Sequence, residues 1–162
     1  MPTFIAFPVK AYIIANSDNV SMNGLKTANK MMGALPVPED KKSTKNFLNA
    51  IDYYITKGNA ISIYPEAHIW PYYTKIRNYK SVSFKYPIKY NVPAFACTTT
   101  YQMQKGKKVK AVVYIDGPFY TDVRLSKKEA QEKLRNDIHN VMTERAKLSN
   151  FEVVKYKKIG DN

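Results

Sequence analysis

An α/β domain with a mixed, mainly parallel sheet flanked by helices is the fold class the sequence predicts, and three observations carry it. Short apolar runs of strand length recur at 11–15, 34–38, 60–64, 92–97 and 109–115. Two amphipathic helical patterns accompany them, one among the runs after Ser43 and one beyond the last run after Ser126. The first lies between Val37 and Ala60, making a strand–helix–strand unit, and right-handed crossovers of that kind join parallel strands of one sheet.

Each element has its own justification. The run 2–8 is apolar without a clear period and reads as a helix end or a short strand, whereas Ala11-Tyr12-Ile13-Ile14-Ala15 reads as a buried strand. A turn at 16–19 leads to a helix capped by Ser21, with Leu25, Ala28 and Met32 inward and Gly33 as its stop. The helix after Ser43 places Phe47, Leu48, Ile51, Tyr54 and Ile55 on one face and ends at Gly58. Ala60-Ile61-Ser62-Ile63-Tyr64 is a strand broken by Pro65, and Val92-Pro93-Ala94-Phe95-Ala96-Cys97 is a second core strand with Cys97 as a small buried residue. Between them, residues 70–90 form a cationic, aromatic loop. Lys105-Gly106-Lys107-Lys108 is a solvated hairpin tip, and the strand 109–115 closes at Asp116-Gly117-Pro118. Ser126 with Glu129 makes a capping box for a final helix whose apolar face is Ala130, Leu134, Ile138, Val141 and Met142. The domain is expected over 1–148, followed by a basic tail over 149–162, loose from Lys155 onward.

Composition narrows the partners. Twenty-six Lys and Arg against thirteen acids give a net charge of +13, which favours nucleic acid, an anionic membrane face or a phosphorylated substrate. One cysteine excludes an intrachain disulfide framework, and no apolar run approaches the ~20 residues of a membrane span. Without a signal-peptide pattern, the expected location is cytoplasmic, or peripheral on the cytoplasmic face of the membrane. No His/Cys cluster has metal-ligand spacing, so no metal is expected.

The chemistry concentrates after the third apolar run. An acid and an imidazole, Glu66 and His68, stand at a strand end, the edge of an open sheet where ligands bind. Lys75, Arg77 and Lys80 follow; they reach a phosphate or form a solvated basic loop. Trp70, Tyr72 and Tyr73 have the character of an acyl-chain or membrane contact, or of a cover for the sheet.

These segments resemble the glycerolipid acyltransferases, the family of the lysophosphatidic acid (1-acylglycerol-phosphate) acyltransferases. The family's third block, a strand ending in Phe-Pro-Glu-Gly-Thr-Arg, is matched by Ile63-Tyr64-Pro65-Glu66-Ala67-His68-Ile69. Its aromatic-Lys-Lys-Gly segment is matched by Tyr79-Lys80-Ser81, and the Gly-Val-Pro that leads into its fourth block by Asn91-Val92-Pro93. The second block is similar to Ala34-Leu35-Pro36-Val37-Pro38, although Glu39 or Asp40 stands where the family has an Arg. The likeness runs from about Ala11 to Asn140.

The resemblance implies acyl transfer from acyl-CoA or acyl carrier protein, as co-substrate, to a lysophospholipid hydroxyl at an anionic membrane surface, in phospholipid biosynthesis, by direct attack on the thioester with no metal or bound organic cofactor. It implies Glu66, His68 and Lys80 at substrate-binding positions; Ile69 and Glu39 or Asp40 stand where the family has its two arginines, so Lys75, Arg77 and above all Lys80 are the cations expected to contact phosphate in their place. The family's His-x-x-x-x-Asp catalytic motif has no counterpart: His139 with Glu144 is a near match at the wrong end of the chain. The apolar opening therefore leads us to expect a missing upstream segment or a complementing polypeptide, and little transfer activity from this chain alone, since a positioned base supplies ~10²–10⁴ in rate. The alternative is a non-catalytic basic module for RNA, single-stranded DNA or anionic lipid, although no nucleic-acid motif supports a specific polynucleotide partner.

Overall fold

The computed structural model describes residues 9–16, 33–68, 70–105 and 108–157, and these form a mixed α/β structure with a small parallel sheet and helices. The chain divides at Tyr64/Pro65 into two compact units. The expected elements at 2–8 and 21–32, Ile69, the hairpin tip at 106–107 and the end of the tail lie outside the described residues.

The first unit holds the parallel sheet. Strands β1 (Ala11–Ala15), β2 (Ala34–Pro36) and β3 (Ala60–Ser62) are ordered β2-β1-β3, with β1 paired in parallel to both neighbours. A central strand flanked on both edges explains why Ala11, Tyr12 and Ile13 are buried. Gly33 has φ +82, and a Cβ there would lie 3.0 Å from the Tyr12 ring and 3.1 Å from the Ala11 carbonyl oxygen. Only glycine fits this approach to β1.

Helix α1 (Lys41–Thr56) connects β2 to β3, as the strand–helix–strand reading requires. It starts two residues before Ser43: Asp40 is the N-cap, and Ser43 is the N3 residue that returns a bond to the Asp40 N–H, a reciprocal capping box. Ile51 is fully enclosed and the Tyr54 ring stacks on Tyr12 at 3.6 Å between centroids, so α1 presents the face expected of it. β3 is shorter than its apolar run; pairing stops at Ser62.

The second unit is built on an antiparallel hairpin, β4 (Ala94–Gln104) with β5 (Lys108–Phe119), rather than on more parallel strands. A three-residue connection can only reverse the chain, since a parallel partner needs a crossover of a dozen or more residues. β5 also continues through Asp116-Gly117-Pro118 instead of stopping there, with a bulge opposite Ala94 and Ala96 and a cis Gly117–Pro118 bond. Residues 81–90, expected as loop, are helical: a 3₁₀ turn (Ser81–Phe84) runs into α2 (Lys85–Tyr90), whose left-handed cap is Asn91. Pro87 is tolerated in the first turn of α2, where an N–H has no intrahelical acceptor.

Helix α3 (Lys127–Ala146) has the expected Ser126/Glu129 box and lies along the hairpin. Its Leu134 and Ile138 join Tyr79, Phe84 and Ala96 in the core of this unit. No helix of the described residues is long and apolar enough to cross a membrane.

Candidate functional site

Glu66 and Arg77 organise the segment that leads into the second unit. Arg77 donates from its backbone N (3.0 Å) and from Nε (3.1 Å) to Glu66 Oε2, and from Nη2 to the carbonyl oxygens of Glu66 and His68. Both side chains are largely buried, at 19% exposure for Arg77 and 24% for Glu66. One guanidinium thus closes the loop 66–77: it pairs with the Glu66 carboxylate, gives the Glu66 carbonyl a second donor beside His68 N (2.7 Å), and bonds to the His68 carbonyl. Ala67 allows the turn by adopting φ +63, and Tyr72 adopts φ +61 further along.

The Trp70 ring carries the Arg77 guanidinium at 4.7 Å. It also stacks on Tyr156 at 5.2 Å, while Tyr73 sets an edge against each of them. Tyr156 belongs to the stretch expected as loose tail, but 149–156 is tied down. Asn150 N donates to Tyr101 O, Tyr101 N to Ser149 Oγ and Met103 N to Asn150 Oδ1, along an edge of β4. Thr74 Oγ1 donates to Glu152, and Tyr156 Oη to the Pro71 carbonyl at 2.8 Å. Tyr72 leans edge-on against Tyr101, whose hydroxyl pKa is raised by burial and by the neighbouring Tyr72 and Tyr156.

The residues expected to bind substrate therefore separate. Glu66 and Arg77 come together with Trp70 and Tyr73, expected as acyl-chain or membrane contacts, whereas His68, Lys75 and Lys80 are exposed. Arg77 commits Nε and Nη2 to the loop itself, and both hydrogen bonds to the Glu66 carboxylate use Oε2. Lys80 is the N-cap of the 3₁₀ turn, beside Tyr79, whose hydroxyl is pushed up to about 12 chiefly by burial. Ser149, Asn150 and Tyr156 carry no periodic or motif signal; an aromatic residue in a lysine-rich stretch was the one hint of anchoring.

A second arginine cluster stands at the bulge of β5. Arg145 grips both oxygens of Asp116 at 2.6–3.1 Å and lies 4.9 Å from the Tyr114 ring centroid. The bidentate bond from Arg145 holds the Asp116 carboxyl below its usual range. Asp116, Asn140, Val141, Glu144, Arg145 and Leu148 line an open hollow of about 400 Å³ beside it. Cys97 is half-buried and its thiol is pushed up, first by burial and then by Asp116.

His139 and Glu144 are not brought together. The His139 ring sets an edge against Tyr79 at 5.1 Å, and Glu144 pairs with Lys147 at 2.6 Å. Among the described residues no three His, Cys, Asp or Glu side chains converge as a metal site would require. The chain matches no protein-family model, no curated protein and no solved structure.

Proposed function

We propose that this chain is an acyltransferase-type α/β domain of the glycerolipid class, handling an acyl group from acyl-CoA or acyl carrier protein and the hydroxyl of a lysophospholipid. One observation carries the proposal. Three described non-glycine residues have positive φ, and two of them, Ala67 and Asn91, stand where the resembling third block and the Gly-Val-Pro entry to the fourth block have glycine. A motif glycine often encodes a left-handed backbone rather than a side chain, and these two residues adopt that backbone with a different letter. The parallel β2-β1-β3 order, with α1 between β2 and β3, agrees with the same reading.

In this reading Lys80 and Lys75 meet the acceptor's phosphate, Glu66 and His68 shape the hydroxyl pocket, and Arg77 holds Glu66 in place. Trp70, Tyr72 and Tyr73 face the acyl chain or the lipid surface. The test is saturable binding of monomeric lysophosphatidate and of acyl-CoA, measured beside acyl transfer from acyl-CoA. Lys80→Ala should weaken lysophosphatidate binding about tenfold, as expected for losing one charge-assisted hydrogen bond. Polynucleotide binding with a steep salt dependence, and no saturable lipid binding, would replace this reading with that of a nucleic-acid module.

A further inference from the structure

We infer that the face made by residues 70–75 and 152–157 is a docking surface for an anionic bilayer. Trp70, Tyr72, Val153, Val154 and Tyr156 are each 41–48% exposed, an unusual gathering of large apolar side chains on two short segments. The two segments are joined to each other. Trp70 stacks on Tyr156, Tyr156 Oη bonds to Pro71 O, and Thr74 Oγ1 reaches Glu152. Rings locked this way lose little freedom on docking.

Charge chooses the occupant. Exposed Lys75, Lys155 and Lys157 lie on the same two segments, where Glu152 is the single acid among the described residues and already accepts from Thr74. Amphipathic Trp and Tyr rings among lysines match the boundary between lipid and water, where the rings sit at headgroup depth and the lysines meet anionic phosphates. Nucleic acid is disfavoured because a base would need open ring faces, and the Trp70 ring already carries Tyr156 and Arg77. The choice of a bilayer rests on the acyltransferase reading, whose acceptor resides there. The physical surface does not depend on catalysis.

Trp70 is the sole tryptophan of the chain and lies within this face, so it reports on docking directly. The full chain is titrated with phosphatidylcholine vesicles, with and without phosphatidylglycerol, and with vesicles of brominated lipid. The expected result is a blue shift of Trp70 emission and bromolipid quenching that require the anionic lipid. The double variant Lys155→Glu, Lys157→Glu should bind at least about 25-fold more weakly, from about fivefold per lysine near such a surface. Emission unchanged by vesicles, vesicle binding without quenching, or wild-type affinity in the double variant would each overturn the inference. So would an emission change caused by RNA and not by lipid. Acyl transfer and lysophosphatidate binding are measured separately without vesicles, so their failure alongside quenching would break the functional reading and leave the surface standing.

Discussion

Arg77 and Arg145 do the same chemistry in two settings, each pairing with a carboxylate and lying against an aromatic ring, and they differ in what they leave over. Arg145 saturates Asp116 by gripping both oxygens, which ties the bulge of β5 to the last turn of α3. Arg77 reaches one oxygen of Glu66 and spends its Nη2 on backbone carbonyls. The first arrangement joins two regular elements. The second substitutes for regular structure, because the loop 66–77 has no ladder of its own to satisfy its carbonyls. A closed carboxylate is a fastener, while a half-used one held at fixed geometry can also meet a ligand.

The largest expected effect comes from Arg77→Ala, which leaves the largely buried Glu66 carboxylate without its ion-pair partner and takes a donor from the Glu66 and His68 carbonyls. A loss of about 3 kcal/mol in denaturant unfolding is expected. Arg77→Lys should recover less than half of it, since an ammonium cannot span the carboxylate and both carbonyls. Full recovery by lysine would show that charge alone holds the loop.

The Asp116 pair should differ from this in its pH dependence. Its folded pKa is depressed, so the unfolded chain takes up a proton first as pH falls, and the stabilisation is complete only above the ordinary aspartate value, about 4. Thermal melts of wild type and Asp116→Asn should therefore differ at neutral pH and converge as the pH drops through the depressed value. A gap that persists unchanged in acid would mean that packing, and not the ion pair, fastens β5 to α3.

The smallest expected effect tests the backbone directly. Ala67→Gly removes the cost of a left-handed Cβ while adding freedom to the unfolded chain, so a gain of up to about 1 kcal/mol is expected by denaturant titration. A clear loss would mean that the Ala67 methyl matters for packing, and would remove the support its conformation lends to the acyltransferase reading.

Much of the architecture was legible because it is locally encoded. Ile51 and Tyr54 lie on the face that 3.6-residue spacing assigns, the Ser126-x-x-Glu129 box caps α3, and the helix between β2 and β3 implies parallel strands. The misreadings share a physical origin. Residues 81–90 conceal a helix because Pro87 looks like a breaker unless its place in the first turn is known. The end of β5 looks like a turn because Gly117 and Pro118 also serve a bulge, where a Cβ on Gly117 would lie 3.0 Å from Ala94 O.

For the candidate site the division is sharper. Glu66 and its basic, aromatic surroundings stand out in the chain itself, since strand, proline and acid are consecutive. The partners of those residues do not. Arg77 reads as a free cation and Tyr156 as part of a loose tail until folding brings a guanidinium to Glu66 eleven residues back and a phenol to Pro71 eighty-five residues back. Spacing along a helix or strand reports which side chains share a face, so the sequence by itself determined α1 and α3, the cap of α3 and the parallel unit. Contacts between irregular segments have no period to reveal them, and tertiary structure alone decided that Glu66 is clasped and that the tail completes the aromatic face.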